Sequence, residues 1–483
     1  MKYETVIGLE VHAQLKTASK MYCRCSAEYA NAAPNTHVCP VCLGMPGTLP
    51  VINKKAVEFT MMTALALNCS VSEYSKFDRK NYPYPDLMKG YQISQFDAPI
   101  GKSGWMNIEV EGKPKRAGIT RVHLEEDVAK LVHRAVVGES FSLIDVNRSG
   151  SPLMEIVGEP DLRSPEEARQ YLMKLHSTLR YLDVSTANME EGSFRCDANV
   201  SLRPEGIKEF GAKVEVKNMN SFRSVFRALE FEVKRQTQAL EKGEKIAQET
   251  RGWVEETGET VSQRSKEYAH DYRYFPEPDL PPLSIDAAWV ERVKASLPEL
   301  PEARRARFVS DYGLPLYDSD VLTVAKEVAD YFEAVYRTGE GLSAKSVSNW
   351  VLGPVSAILN EQVIGINAFG ARVSSRQLGE LLVLEAKGTV NTASAKSILE
   401  EMFKTGKNAG TIVSEKGLTQ ISDSGELEKL AAEVIQSNAA AVADYRAGKT
   451  QTMAFLVGQV MKATRGRANP KIVTEALKKK LGE

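Results

Sequence analysis

The sequence holds no run of eighteen apolar residues, so no segment reads as a membrane-spanning helix and no membrane role is expected. Its opening residues, Met-Lys-Tyr-Glu-Thr-Val, run straight into a strand pattern and offer no long apolar export segment. Excess charge is missing too: 62 Lys and Arg stand against 63 Asp and Glu, which argues neither for nor against a nucleic-acid partner. Cysteine is scarce, and four of the six are clustered. That pattern fits a reducing compartment, most simply the cytoplasm, and a metal rather than a disulfide framework. The common nucleotide motifs are absent. Gly101-Lys102-Ser103 ends like a phosphate-binding loop, but Phe96 stands where the first glycine is needed, and no Gly-x-Gly-x-x-Gly unit joins a strand to a helix. There is no internal repeat and no low-complexity tract.

What is present is an ordinary globular composition, 43% hydrophobic and 26% charged, in 483 residues, a length that implies two to four domains. Thr5–His12 alternates, with Ile7, Leu9 and Val11 on one face and Glu10 and His12 on the other. Arg121–Val128 and Phe194–Leu202 repeat the pattern, the latter setting Arg195, Asp197, Asn199 and Ser201 opposite an apolar row. Only Glu126 breaks the alternation of its segment. Such strands form a mostly antiparallel sheet with one packed and one polar face. Ser164-Pro165-Glu166-Glu167 is a helix start, and Phe222, Val225, Phe226, Leu229 and Val233 mark another helix. The expected class is α+β. Prolines at 276–282, 298 and 301 mark a boundary, beyond which the periodicity turns helical, as in the stripe Val321, Val324, Ala325, Val328, Phe332. Gly406–Gly410 suggests a second hinge. Residues 446–483 carry nine Lys or Arg against two Glu. The expected division is a cradle over 1–293 with an inserted segment around 23–42, a helical domain over 294–408, and a helical tail over 409–483.

Cys23-x-Cys25 and Cys39-Pro-Val-Cys42 have the spacing of one tetrahedral zinc site. Four thiolates close its coordination sphere, so this zinc is expected to be structural. Glu10 and His12 leave the same strand face. With Glu125, Glu126 and Glu155 they suggest an oxygen-rich site for magnesium or manganese. Strict alternation turns Glu126 toward the apolar face, whereas a bulge would turn it inward, so the choice between Glu125 and Glu126 stays open. Arg79-Lys80-Asn81-Tyr82 combines cations with an aromatic ring, suited to phosphate and a stacked base. Asp145-Val-Asn147-Arg148-Ser149-Gly-Ser-Pro-Leu-Met-Glu155 crowds a carboxylate, an amide, a guanidinium and hydroxyls around a glycine. Arg79, Lys80 and Arg148 are expected to neutralise phosphate, with Asn147 and Ser149 orienting a carboxylate or ribose. Asp197 and Asn199 are candidates to line the same hollow. Arg465, Arg467 and Lys471, at a helix start near the end, suit a nucleic-acid phosphate.

Several long segments, Val6–Leu15, Cys39–Gly47, Asp78–Asp86, Asp145–Val157, Met189–Gly192, Glu215–Phe222, Asp271–Asp279 and Phe455–Pro470, together resemble the B-subunit family of aspartyl/glutamyl-tRNA amidotransferases. The resemblance implies a cradle similar to glutamine synthetase, a helical domain and a tRNA-contacting tail. It implies ATP and magnesium, with phosphorylation of the side-chain carboxylate of Glu-tRNA(Gln) or Asp-tRNA(Asn). Ammonia would come from the amidase, or A, subunit of the same complex, and a small C subunit would tie that amidase to this chain. The family's metal positions fall on His12, one of Glu125 or Glu126, and Glu155, with Glu10 alongside. A non-catalytic tRNA-binding scaffold is the alternative. A free-standing glutaminase is disfavoured, because no Cys–His or Ser–Lys pair is placed as a nucleophile and Cys196 falls on an apolar strand face.

Overall fold

Alternation builds the first part of the molecule. In the strand Tyr3–Gln14 (β1), Ile7, Leu9, Val11 and Ala13 are buried on one side, while Glu10, His12 and Gln14 leave the other only partly covered. Three more long strands share this division: Lys113–Glu126 (β2), Pro152–Gly158 (β3) and Phe194–Pro204 (β4). They form the middle of a nine-stranded sheet. Its order is Glu259–Ser265, Glu249–Val254, Val214–Lys217, β4, β1, β3, β2, Gly101–Val110, Ser70–Val71. Every pairing is antiparallel except Val214–Lys217 with Glu249–Val254. The computed structural model describes residues 2–136, 139–265, 271–339, 341–418, 424–446, 449–464, 468 and 470–482.

Three helices, Lys54–Ala66, Pro165–Tyr181 and Phe222–Glu241, share one hydrophobic cluster with the apolar side of the sheet. Ser164 and Ser221 cap the second and third by accepting from the amides of Glu167 and Ser224. The first helix comes unusually close. A Cβ at Gly101 would stand 2.7 Å from that of Ala64, and one at Gly104 2.6 Å from the Leu67 carbonyl oxygen. The Gly101-Lys102-Ser103 segment thus belongs to an antiparallel strand, irregular at Ser103, which has a positive φ and no partner in the register, and its glycine serves packing rather than phosphate. Among the described residues of Met1–Leu300, the polar side of the sheet has no helical cover of this kind. Beside it a small sheet, Phe275–Pro276, Asp78–Asn81 and Tyr91–Ser94, carries the Arg79–Asn81 segment. The architecture is mixed α/β around one large sheet, followed by helices.

The chain divides into two units, Met1–Leu300 and Pro301–Glu483. The second contains two separate apolar clusters. One is built by helices between Pro301 and Lys416, with Phe308, Phe332, Phe369 and Leu399 fully buried. The helix after Gly406, Ala409–Lys416, packs into this cluster through Ala409, Ile412 and Val413. The other cluster joins helices Ser424–Ser437, Ala439–Arg446, Thr452–Ala463 and Pro470–Leu481. The apolar stripe from Val321 to Phe332 is not one helix. It is cut between Leu316–Thr323 and Lys326–Thr338, where Ala325 is extended and Val324 is exposed. The β-branched run Val321, Thr323, Val324 gives that turn little helical preference. Among the described residues, no helix is long and apolar enough to cross a membrane.

Candidate active site

One row of side chains crosses four strands on the polar face. His12 of β1 lies opposite Glu155 of β3 and Arg195 of β4, and Glu155 lies opposite His123 of β2. Glu125, two residues along β2, reaches the same point. His12 Nε2 is 3.6 Å from Glu155 Oε2 and 3.7 Å from Glu125 Oε1, and His123 Nε2 is 3.3 Å from Glu155 Oε2. Each distance is shorter than two metal–oxygen bonds of about 2.1 Å laid end to end, so one cation can touch His12, Glu125 and Glu155 together. Both carboxylates are almost fully buried. Two such charges need a cation between them. Burial alone would raise the Glu155 pKa, but the neighbouring His123 and then His12 hold it well below the usual range. Burial likewise disfavours a charge on His12, but Glu155, Glu125 and Asp197 outweigh it and raise its pKa. The donor set of one imidazole and two carboxylates fits a hard divalent ion.

Glu126 does not join this cluster. Register is continuous from Glu126 opposite Pro152 to Leu124 opposite Met154, so no bulge turns it inward. Its carboxylate points to the other side of the sheet, 2.6 Å from Lys89 Nζ, and accepts from the Ile93 amide at 3.0 Å. Glu10 stays on the polar face but is held away from the three ligands, accepting from Asn199 Nδ2 at 2.9 Å.

Of the cations expected to meet phosphate, only Lys80 faces the cluster. It is half-buried among tyrosines, 5.8 Å from the Tyr82 ring and 5.2 Å from that of Tyr272, with no hydrogen bond or ion pair fixing its ammonium among the described residues. Burial opposes its charge, yet Glu125, with Tyr274 and Glu155, keeps its pKa above the usual lysine range. Arg79 is committed elsewhere. Its guanidinium makes two 2.7 Å bonds to buried Glu277 and stacks 4.3 Å from Tyr91. Asn81 donates to the carbonyls of Arg79 and Arg273, which shapes the loop.

The Asp145–Ser149 segment is a clasp rather than an anion site. Asp145 accepts from the amides of Asn35 and Asn147. Asn147 accepts from the His37 amide at 2.8 Å and donates to the Ala33 carbonyl at 2.7 Å. Ser149 donates to the Cys42 carbonyl, and Arg148 donates to the carbonyls of Val128 and Ala129 with Asp127 3.6 Å away. Polar groups that suggested ligand binding are used up holding backbone. What they hold is the cysteine segment. Cys23, Cys25, Cys39 and Cys42 are all free thiols whose sulfurs lie within 4.8 Å of one another. Cys39 and Cys42 are 3.8 Å apart, the edge of a tetrahedron with bonds of about 2.3 Å. A hydrogen bond from Cys23 draws the Cys42 pKa down, helped by the Cys39 amide and Lys20, so a thiolate is already favoured there. The cluster can hold a metal ion. Arg465 and Arg467 lie outside the described residues, and so does the side chain of Lys471.

Residues 5–291 match the family model described as the GatB/GatE catalytic domain, and residues 330–481 match the GatB domain. A protein of Dehalococcoides mccartyi, named as the B subunit of an aspartyl/glutamyl-tRNA(Asn/Gln) amidotransferase, is 61% identical, over 100% of this chain and 99% of its own length. Proteins of the same name from Moorella thermoacetica and Carboxydothermus hydrogenoformans are 56% and 54% identical, each over 100% of this chain and at least 99% of its own. The chain belongs to the GatB/GatE family. The catalytic domain so matched contains His12, Glu125, Glu155, Lys80 and all four clustered cysteines. Several residues around this cluster are given no role by the sequence alone. His123 alternates in step with Glu125, a signal that was available. Asp127 is held by Arg195 at 2.9 Å and Gln14 at 2.6 Å, and Tyr272 and Tyr274 arrive from a distant loop; neither arrangement leaves a local pattern.

Proposed function

We propose that this chain uses ATP to phosphorylate the side-chain carboxylate of an amino acid misattached to tRNA, at the His12–Glu125–Glu155 cluster. The substrates are Glu-tRNA(Gln), Asp-tRNA(Asn) or both, and ammonia from a partner amidase (the A subunit) then displaces phosphate to give the amide. A small C subunit is proposed to join that amidase to this chain, in the cytoplasm. The observation that carries the reading is the convergence of one imidazole and two buried carboxylates on the open face of a sheet, within the part of the chain matching a catalytic domain.

The chemistry follows from charge. A carboxylate is a poor acyl donor because oxide is a poor leaving group, and phosphorylation supplies a good one. Transfer requires alignment of the carboxylate with the terminal phosphorus and neutralised phosphate oxygens. Magnesium or manganese, when bound, would supply charge neutralisation. His12, Glu125 and Glu155 would hold the ion, and His123 would orient Glu155. Lys80, boxed by tyrosines and without a fixed partner among the described residues, would stabilise charge developing on the transferred phosphoryl group. The cradle is proposed to share the plan of glutamine synthetase, with 294–408 as a helical domain and 409–483 as a tail gripping tRNA phosphates through Arg465, Arg467 and Lys471. The four cysteines would hold a structural zinc.

The test is Glu155→Ala in the assembled enzyme with misacylated tRNA and ATP. Formation of acyl phosphate and ADP should be lost while tRNA binding persists. Undiminished ADP formation would refute the placement of the phosphoryl transfer.

A further inference from the structure

Lysine is among the residues least often enclosed by a protein, yet Lys20 is fully buried. Its ammonium makes one hydrogen bond, to the His37 carbonyl at 2.8 Å, and no ion pair among the described residues. A carboxylate does come near. Glu126 reaches within 3.9 Å of the point where a Gly150 Cβ would stand, and Lys20 Cδ lies 3.7 Å from that point. Glu126 is already held by Lys89 at 2.6 Å, however, so that charge is taken. One carbonyl does not offset the several kcal/mol that removing an ammonium from water costs. A buried charge of this kind calls for an opposite one.

The cysteine cluster lies beside it. Lys20 spans the two halves of that cluster: its amide donates to the Cys25 carbonyl at 2.9 Å, and its ammonium holds His37, two residues before Cys39. Its side chain also runs past buried Cys42, whose Cβ is 3.5 Å from the same Gly150 point. The positive charge is felt there, as one of the causes that draw the Cys42 thiol down. A divalent ion held by four thiolates carries two excess negative charges, since every cysteine gives up its proton on binding. Enclosed in protein, that excess is as unfavourable as the lone ammonium, and each relieves the other. We infer that Lys20 is the counter-charge of the metal held by Cys23, Cys25, Cys39 and Cys42, and that it raises the affinity of the site by cancelling part of the negative excess. The inference rests on the zinc reading above.

Zinc and cobalt(II) titrated into the metal-free, full-length chain test this, cobalt by its visible thiolate absorption and zinc by competition with a chromophoric chelator. Lys20→Met and Lys20→Gln put neutral side chains of similar length in place of the ammonium. Each should weaken both ions by about 10–100-fold, the range for groups that tune metal ligands, and either variant suffices if the other misfolds. A contact that serves the fold equally with and without the ion leaves affinity unchanged, so wild-type affinity in these variants would overturn the proposal. Charge is then separated from mere stapling of the two halves by a double-mutant cycle. Cys25→His exchanges one thiolate for a neutral imidazole and so removes one negative charge. In that background Lys20→Met should cost only about threefold, because less charge is left to cancel. The full loss persisting there would reduce Lys20 to a backbone staple and refute the counter-charge. Cys39→His serves the same cycle if Cys25→His takes up no ion. A wild-type chain that binds neither ion would instead sink the zinc reading, and the role of Lys20 with it.

Discussion

Two adjacent glutamates on one strand have opposite fates, and that difference is measurable. Glu125 faces His12, whereas Glu126 is sealed against Lys89 on the other side of the sheet. Glu125→Gln should weaken manganese binding, followed by electron paramagnetic resonance, with a modest change in melting temperature. Glu126→Gln should leave manganese affinity intact and lower stability, because breaking a buried ion pair costs about 3–5 kcal/mol. The reverse pattern would exchange their roles. Period-two alternation sets these residues on opposite faces only if no bulge intervenes, so the sequence leaves the choice open and the unbroken register decides it. What no local pattern carried was commitment: Arg79, Asn147 and Arg148 looked like anion holders by type, and only tertiary contacts reveal that Glu277 and nearby carbonyls have claimed them. Lys80 differs from Arg79 by having no such claimant among the described residues.

At the level of elements, the Asp145–Ser149 clasp and the cysteine segment depend on each other. Asn147→Ala removes an acceptor from the His37 amide and a donor to the Ala33 carbonyl, a change worth about 1–3 kcal/mol per buried group left unpaired. It should speed zinc release to a chromophoric chelator, and an unchanged release rate would detach the clasp from the metal site. The helical unit has its own electrostatic hub. Glu333 binds Arg304, Arg307 at 2.8 Å and Tyr312 at 2.6 Å. Burial would raise its pKa, but Arg307, Tyr312 and Arg304 bring it down from 4.5 to about 2. A depressed carboxylate stabilises the folded state above its unfolded pKa and loses that contribution as protons arrive. The melting temperatures of wild type and Glu333→Gln should therefore differ at neutral pH and converge as the pH falls from 4.5 toward 2. A constant gap across that window would contradict the assignment. The helix break at Ala325 marks where periodicity misled, since an apolar stripe continues across a turn that is not helical.

For the whole molecule, the chain divides after Leu300 rather than at the expected 293, between Pro298 and Pro301, in a proline-rich stretch that continues neither the sheet nor the preceding helix. Each side has its own buried cluster, so residues 1–300 and 301–483 expressed separately should each show a cooperative thermal transition by circular dichroism. A featureless melt from either piece would show that its core needs the other. Less legible was the order of the large sheet, since strands distant in sequence, such as β1 with β3 and β4, become neighbours through pairings that no single segment encodes. That order has a consequence for solubility. One margin of the sheet ends in Ser70–Val71, which covers only Gly101 and Lys102 of the ten-residue strand behind it. Beyond that stub the Trp105 amide donates to the Leu67 carbonyl, the Trp105 carbonyl accepts from Asn68 and the Asn107 carbonyl from Lys174, which leaves fewer groups to template a strand from another molecule. Fibrillar growth on heating is thereby denied a starting point along that border.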